Sequence, residues 1–239
     1  MEQLVGILVK VLVYGVILGL VAFAIRALIR TNRKGERIQE DWEALEGVAA
    51  ARGWTYERRA PGRATEYCGV GPMPGKGSNL TAWHHITGEF RGRSFKCFEY
   101  RYVNPLSSTT QAGNKKLTYE SVFLVSAPGM GTSVMHVGRP SKIDRMMGRG
   151  PRMLLGVPEF DKRFRVDTRD ETFVRSVLTD DMRAFLLSDH RAETHPLRLR
   201  DDELFTWYTG YLNQQEIENR LNYLCDVMDR IPAQVWTSA

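Results

Sequence analysis

Residues 82–103 read AWHHITGEFRGRSFKCFEYRYV, and the reading of this stretch decides the fold. Two runs rich in aromatic and β-branched side chains flank Arg91-Gly92-Arg93, so the pattern predicts an antiparallel hairpin turning on a glycine. In the second run Phe95, Cys97, Glu99 and Arg101 share one face, and Lys96, Phe98, Tyr100 and Tyr102 share the other. Aromatic side chains on both faces make this a central strand of its sheet.

Outward from the hairpin the chain carries more strand-forming runs. A polar stretch at 104–116 leads to a third run at 119–127, and Pro128-Gly129-Met130-Gly131 turns into a fourth at 132–137. A four-stranded meander is therefore expected, with helices over its apolar face. Shorter runs lie at 54–58 and 164–166. A second hairpin is written in PLRLR, Asp201-Asp202-Glu203 and LFTWYTGYL, where Leu197 and Leu199 alternate with Arg198 and Arg200.

Residues 60–80, APGRATEYCGVGPMPGKGSNL, are crowded with glycine and proline and read as a long exposed loop. Part of it has the outline of a phosphate-binding loop but fails G-x-x-x-x-G-K-[ST]. Val70 stands at the first glycine, Gly77 stands where Ser or Thr is needed, and Pro72 and Pro74 remove N–H donors.

Helical spacing appears in four places. Ile38, Trp42, Leu45, Val48 and Ala49 form a stripe among Glu40, Asp41, Glu43 and Glu46, closed by Arg52-Gly53. Thr168 with Glu171 reads as a capping box opening a helix whose Phe173, Val174, Val177 and Leu178 face inward. Thr179 caps a second helix at 180–187, with Asp180 and Asp181 suited to its positive end. Asn213 and Glu216 start a last helix with Ile217, Leu221, Leu224, Met228 and Ile231 as its stripe, ended by Pro232.

The N-terminal residues 4–29 are LVGILVKVLVYGVILGLVAFAIRALI. From Leu4 to Ile25 only Lys10 interrupts an apolar run of about 22 residues, the length that crosses a hydrocarbon core roughly 30 Å thick. Lys10 lies toward one end, where its stem can snorkel outward. Arg26, Arg30, Arg33, Lys34 and Arg37 follow the run, and Glu2 precedes it, so the positive-inside rule puts the C-terminal side in the cytosol. The rival, a cleaved signal ending near Ala22-Phe23-Ala24, would carry its positive charge before the run. The expected organisation is an anchor at 1–30, an amphipathic juxtamembrane helix at 31–53 and a cytosolic domain at 54–239. The fold class is α+β: an N-terminal transmembrane helix, then an antiparallel sheet packed with helices.

The formal charge of +5 belongs mostly to the anchor flank. Beyond it, residues 38–169 hold 20 basic and 13 acidic side chains, and residues 170–239 hold 7 and 13. Such asymmetry fits either a basic half against an anionic leaflet or complementary halves packed together. Cys68, Cys97 and Cys225 match no zinc or redox spacing.

FDKRFRV at 160–166, LTDDMRAFLL at 178–187, LRLRDDEL at 197–204 and the long C-terminal helix together resemble a class of bacterial single-pass membrane proteins with a cytosolic domain of unknown function. The resemblance covers roughly 83–239 plus the anchor plan. It implies an α+β domain on a tether and brings no catalytic residue.

The candidate ligand-binding residues are Arg139, Lys142, Arg145, Arg149 and Arg152, in RPSKIDRMMGRGPR. This basic segment suits phospholipid headgroups or a ligand phosphate, and it lacks the interleaved aromatics that stack nucleic-acid bases. His84 and His85 point to opposite faces of their strand, so they cannot share one metal there. A nucleophile or metal site would need His85, Cys97 and His136 to converge; no catalytic, metal or cofactor site is assigned. The chain reads as a non-enzymatic, membrane-tethered interaction module with the bilayer and an unidentified protein as partners and no specific nucleic acid. Anionic lipid or nucleotide binding by residues 139–152 is the first alternative, a hydrolase or metal-dependent enzyme the second.

Overall fold

The computed structural model describes residues 2–77, 79–103, 117–127, 134–140 and 152–236, the side chains of 2–18 and 28–34 excepted. The chain divides into two compact units, Met1–Glu43 and Ala44–Ala239.

The first unit is the body of one helix, α1, which runs Glu2–Ala51 without a break. Among its described side chains Leu20, Val21, Phe23 and Ile25 are exposed, at 64%, 50%, 74% and 51%. Arg26 and Arg37 are exposed as well, while Arg30, Arg33 and Lys34 lie outside the described side chains. Among the described residues no helix is long and apolar enough to cross a membrane. Of the run expected to do so only residues 19–27 carry described side chains, so most of that expectation lies outside the description.

The last turns of α1 belong to the second unit, where Leu45 and Ala49 are fully buried. The helix stops at the glycine read as its end. Gly53 takes φ +68, and Trp54 N–H reaches back to the Ala49 carbonyl at 2.9 Å.

Eight described strands make one antiparallel sheet: β1 (Thr55–Ala60), β2 (Ala82–Phe90), β3 (Arg93–Val103), β4 (Leu117–Ser126), β5 (Met135–Gly138), β6 (Arg165–Thr168), β7 (Leu197–Arg200) and β8 (Glu203–Thr209). Their order is β1-β2-β3-β4-β8-β7-β5-β6. Both expected hairpins form, each on a two-residue turn with positive φ at both central positions: Arg91 and Gly92, then Asp201 and Asp202. Mirror-image turns of this kind match the twist of the strands they join.

The expected four-strand meander needs correcting. β4 pairs with β8, and β5 lies beyond β7, next to β6 at the sheet edge. The seven residues of β8 include the buried Leu204, Phe205 and Thr206, which suit a central place, whereas β5 is four residues long.

α2 (Pro158–Arg163), α3 (Glu171–Val177), α4 (Asp180–Ser188), α5 (Gln214–Met228) and α6 (Ala233–Trp236) complete the unit. Pro158 opens α2, because its missing N–H costs nothing at a first helical position. Thr179 and Asn213 cap α4 and α5 as read. Thr168 does not cap α3: it ends β6 and spends its hydroxyl on the Val134 carbonyl at 2.9 Å. Asp170 accepts from Phe173 N–H instead.

α5 packs on β3, β4 and β8. Its Ile217, Leu221, Leu224 and Met228 are buried, as are Phe95, Cys97, Phe123 and Leu204 on one face of the sheet. The opposite face presents Phe98, Val122, Leu124 and Phe205, and residues 60–80 cover it. That segment is not the exposed loop expected. Ala60, Ala64, Tyr67, Val70 and Met73 are at most 5% exposed, and Tyr67 stacks on Phe98 with ring centroids 5.3 Å apart. Gly71, at φ +55, lies so close to Trp207 that a Cβ there would sit 2.6 Å from the ring.

Candidate functional site

The register builds a row across the sheet. Phe205, Arg198, His136 and Asp167 stand directly opposite one another on β8, β7, β5 and β6, and the row continues inward through Leu124 on β4. The face covered by residues 60–80 therefore changes character at β7, from apolar side chains to Arg198, His136 and Asp167. The cover ends there too, where Arg200 donates to the Cys68 carbonyl at 3.0 Å. Beyond this edge lies a cleft of about 560 Å³ lined by Cys68, Gly69, Val134, His136, Asp167, Thr168, Arg169, Arg198 and Arg200.

The floor of this cleft is cationic. Asp167, its one carboxylate among the described residues, accepts from Arg165 Nε at 2.8 and 3.0 Å through its two oxygens, which offsets its charge. Arg200 is held by Asp201 at 2.6 Å. Arg198 has no ion pair among the described residues, and its buried Nε lacks a hydrogen-bond partner there. Burial, and after it the charge of Arg200, pulls Arg198 below the ordinary guanidinium range. His136 stacks on Trp207 at 5.7 Å, and its buried Nδ1 is likewise unpartnered among the described residues. Burial holds the imidazole below its ordinary pKa, so it stays neutral near pH 7. The site thus offers fixed cations and N–H groups with spare hydrogen-bonding capacity in a half-enclosed space.

A second polar cluster lies on the opposite face of the sheet. Tyr56 Oη meets His84 Nδ1 at 2.9 Å, Arg101 meets His84 Nε2 at 3.0 Å and donates to Glu99 at 2.5 Å, and Glu99 also accepts from Leu212 N–H at 3.0 Å. His84 occupies a bulge in β2 with φ +49. Each of these side chains is partnered within the fold, which makes the cluster a structural tie.

Of the basic segment chosen from sequence, Arg139 pairs with Glu193 at 3.2 Å and Arg152 donates to the Phe164 carbonyl at 2.9 Å. Lys142, Arg145 and Arg149 lie outside the described residues. His85 sits beside Phe98 and His136 beside Trp207 on the covered face, while Cys97 projects from the other. The three do not converge, and burial pushes the Cys97 thiol up, away from nucleophilic form. Among the described residues no group of three or more His, Cys, Asp and Glu is placed to hold a metal.

The cleft residues escaped the sequence reading. The signal was present in PLRLR, where Arg198 and Arg200 alternate with buried leucines, but a strand's polar face looks the same whether it meets solvent or floors a cleft.

No protein-family model matches the chain, and no curated protein matches it in sequence. Its fold is similar to that in the crystal structure of the mycobacterial trehalose monomycolate transport factor A, TtfA. The TM-score is 0.54 over 80% of this chain and 96% of that one, at 13% identity, and the likeness is one of fold.

Proposed function

We propose that the chain is a membrane-tethered, non-catalytic binding module for a lipid-type ligand. In this reading α1 crosses the cell membrane once through residues 4–29, with the N-terminus outside and the second unit in the cytosol. The observation that carries it is the exposure of Leu20, Val21, Phe23 and Ile25 on α1, inside a run that only Lys10 interrupts. A helix apolar on all its sides needs lipid or protein around it. Arg26 and Arg37, with Arg30, Arg33 and Lys34 between them, supply the cytosolic charge.

The lipid-type ligand is supported by the likeness in fold to a protein named as a trehalose monomycolate transport factor. A second reading has residues 139–152 meeting anionic headgroups. It rests on Lys142, Arg145 and Arg149, since Arg139 and Arg152 are already engaged within the fold.

Fractionation of cells expressing the full chain tests the tether. The chain should stay in the membrane pellet through alkaline carbonate washing, leave it only with detergent, and keep its C-terminal unit safe from protease added outside intact cells. Recovery in the detergent-free supernatant would overturn the reading.

A further inference from the structure

We infer that the cleft over β5, β6 and β7 binds a phosphate ester carried on an apolar molecule, with Arg198, Arg200 and Arg169 as its cations and His136 as a hydrogen-bond partner. The inference rests on the lipid-type reading above and names the headgroup chemistry. Arg198 and Arg200 stand two apart on one face of β7, and Arg169 follows directly on β6. Cations brought from two strand ends suit a tetrahedral anion, which accepts from several directions, better than a planar carboxylate that one guanidinium fork can satisfy.

Arg198 and His136, two residues that line the cleft, each keep a buried nitrogen without a hydrogen-bond partner among the described residues, so the fold does not use up their hydrogen-bonding capacity. Asp167, the only carboxylate among the described residues that line the cleft, is engaged by Arg165 and makes no ion pair with Arg198. A volume of about 560 Å³ is that of a small-molecule site, so a bare phosphate leaves most of it empty. The remainder has apolar boundaries in Val134 and the Cys68 end of the cover.

The test uses the full chain in dodecyl maltoside micelles and three probes: dioctanoyl phosphatidic acid, dioctanoylglycerol and inorganic phosphate, titrated by calorimetry. The phosphatidic acid should bind about tenfold or more tightly than the uncharged diacylglycerol, the ratio charge-assisted bonds supply. Arg198→Gln should remove that preference, and Arg198→Lys should restore part of it. Arg169→Gln, at an exposed position, should weaken the phosphatidic acid in a fold left intact.

Equal affinity for the two lipids, or unchanged selectivity in both Gln variants, overturns the phosphate site while the lipid-type reading stands. Inorganic phosphate binding as tightly as phosphatidic acid overturns the apolar half of the inference. Binding of neither lipid overturns the inference and the lipid-type reading together.

Discussion

Arg91, at the tip of the β2–β3 turn, donates to Asp226 on α5 at 2.7 Å and, through its second terminal nitrogen, to Asp229 at 2.8 Å. Asp226 also accepts from Arg191 at 2.7 Å. Arg52 with Glu218, Arg93 with Asp229, Lys96 with Glu203 and Arg163 with Glu193 repeat the pattern, each joining the basic 38–169 stretch to the acidic 170–239 stretch. The charge asymmetry of the sequence is therefore largely met inside the second unit, between its earlier and later stretches.

Arg91, Asp226 and Asp229 each make two ion pairs of this network. Burial alone would raise the Asp226 carboxyl, and the bonds from Arg91 and Arg191 hold it below the usual range instead. Exposed pairs contribute about 0.2–1 kcal/mol each and are screened by salt. Asp226→Asn and Arg91→Gln, each of which weakens two ion pairs, should each lose about 1 kcal/mol in urea unfolding. Both losses should shrink in 1 M salt, on the order of three Debye lengths inside a 10 Å span. Losses that ignore salt would show that these residues act through packing.

Gly71 reports on the cover. At φ +55 and with Trp207 where a Cβ would go, Gly71→Ala meets both backbone strain and a ring that has little room to yield. A loss of about 1–3 kcal/mol is expected, with faster amide exchange across residues 60–80. A neutral substitution would mean that the segment rides loosely over the sheet.

Two histidines set the acid limb of stability. Burial, followed by the charge of Arg101, lowers His84 to about 4, and burial followed by Arg220 lowers His195 to about 3. In the unfolded chain both take a proton near pH 6.5, so the unfolded state binds protons first as pH falls. Stability is lost from about pH 6.5 down to about pH 4 for His84, by up to about 1.4 kcal/mol per pH unit. Glu120 and Glu203, raised by burial, act with the opposite sign, so the test is a difference. The stability gap between wild type and His84→Gln should narrow from pH 7 to pH 4. A constant gap removes His84 from the account.

Local chemistry was readable in the sequence where one residue type answers one geometric demand. Gly53 at a helix end, Thr179 and Asn213 as caps, the two tight hairpin turns and the buried stripe of α5 all fall where read. What failed was non-local. Nothing in residues 132–137 says that β8 takes the place beside β4, because pairing partners are chosen by burial across the whole sheet.

The cover was missed for another reason. Ala60, Ala64, Tyr67, Val70 and Met73 do recur every three or four positions, but glycines and prolines between them hide a chain of tight turns that puts all five on one side. The cleft forms where that cover stops, so it could be recognised only after the cover was.

Arg198 separates binding from stability. A cation half-buried beside Arg200, with no ion pair among the described residues, costs the ligand-free fold desolvation that the charge of Asp167 returns only in part. Arg198→Met keeps the aliphatic stem's packing and removes the charge, so the ligand-free protein should be as stable as wild type or more so, by up to about 1–2 kcal/mol. The same variant should lose the preference for phosphatidic acid over diacylglycerol. Thermal unfolding of wild type and variant, each with and without dioctanoyl phosphatidic acid, reads both effects: the variant should start at or above the wild-type midpoint and rise less with ligand. A variant that unfolds well below wild type without ligand would make Arg198 a structural residue, held by the fold for its own sake.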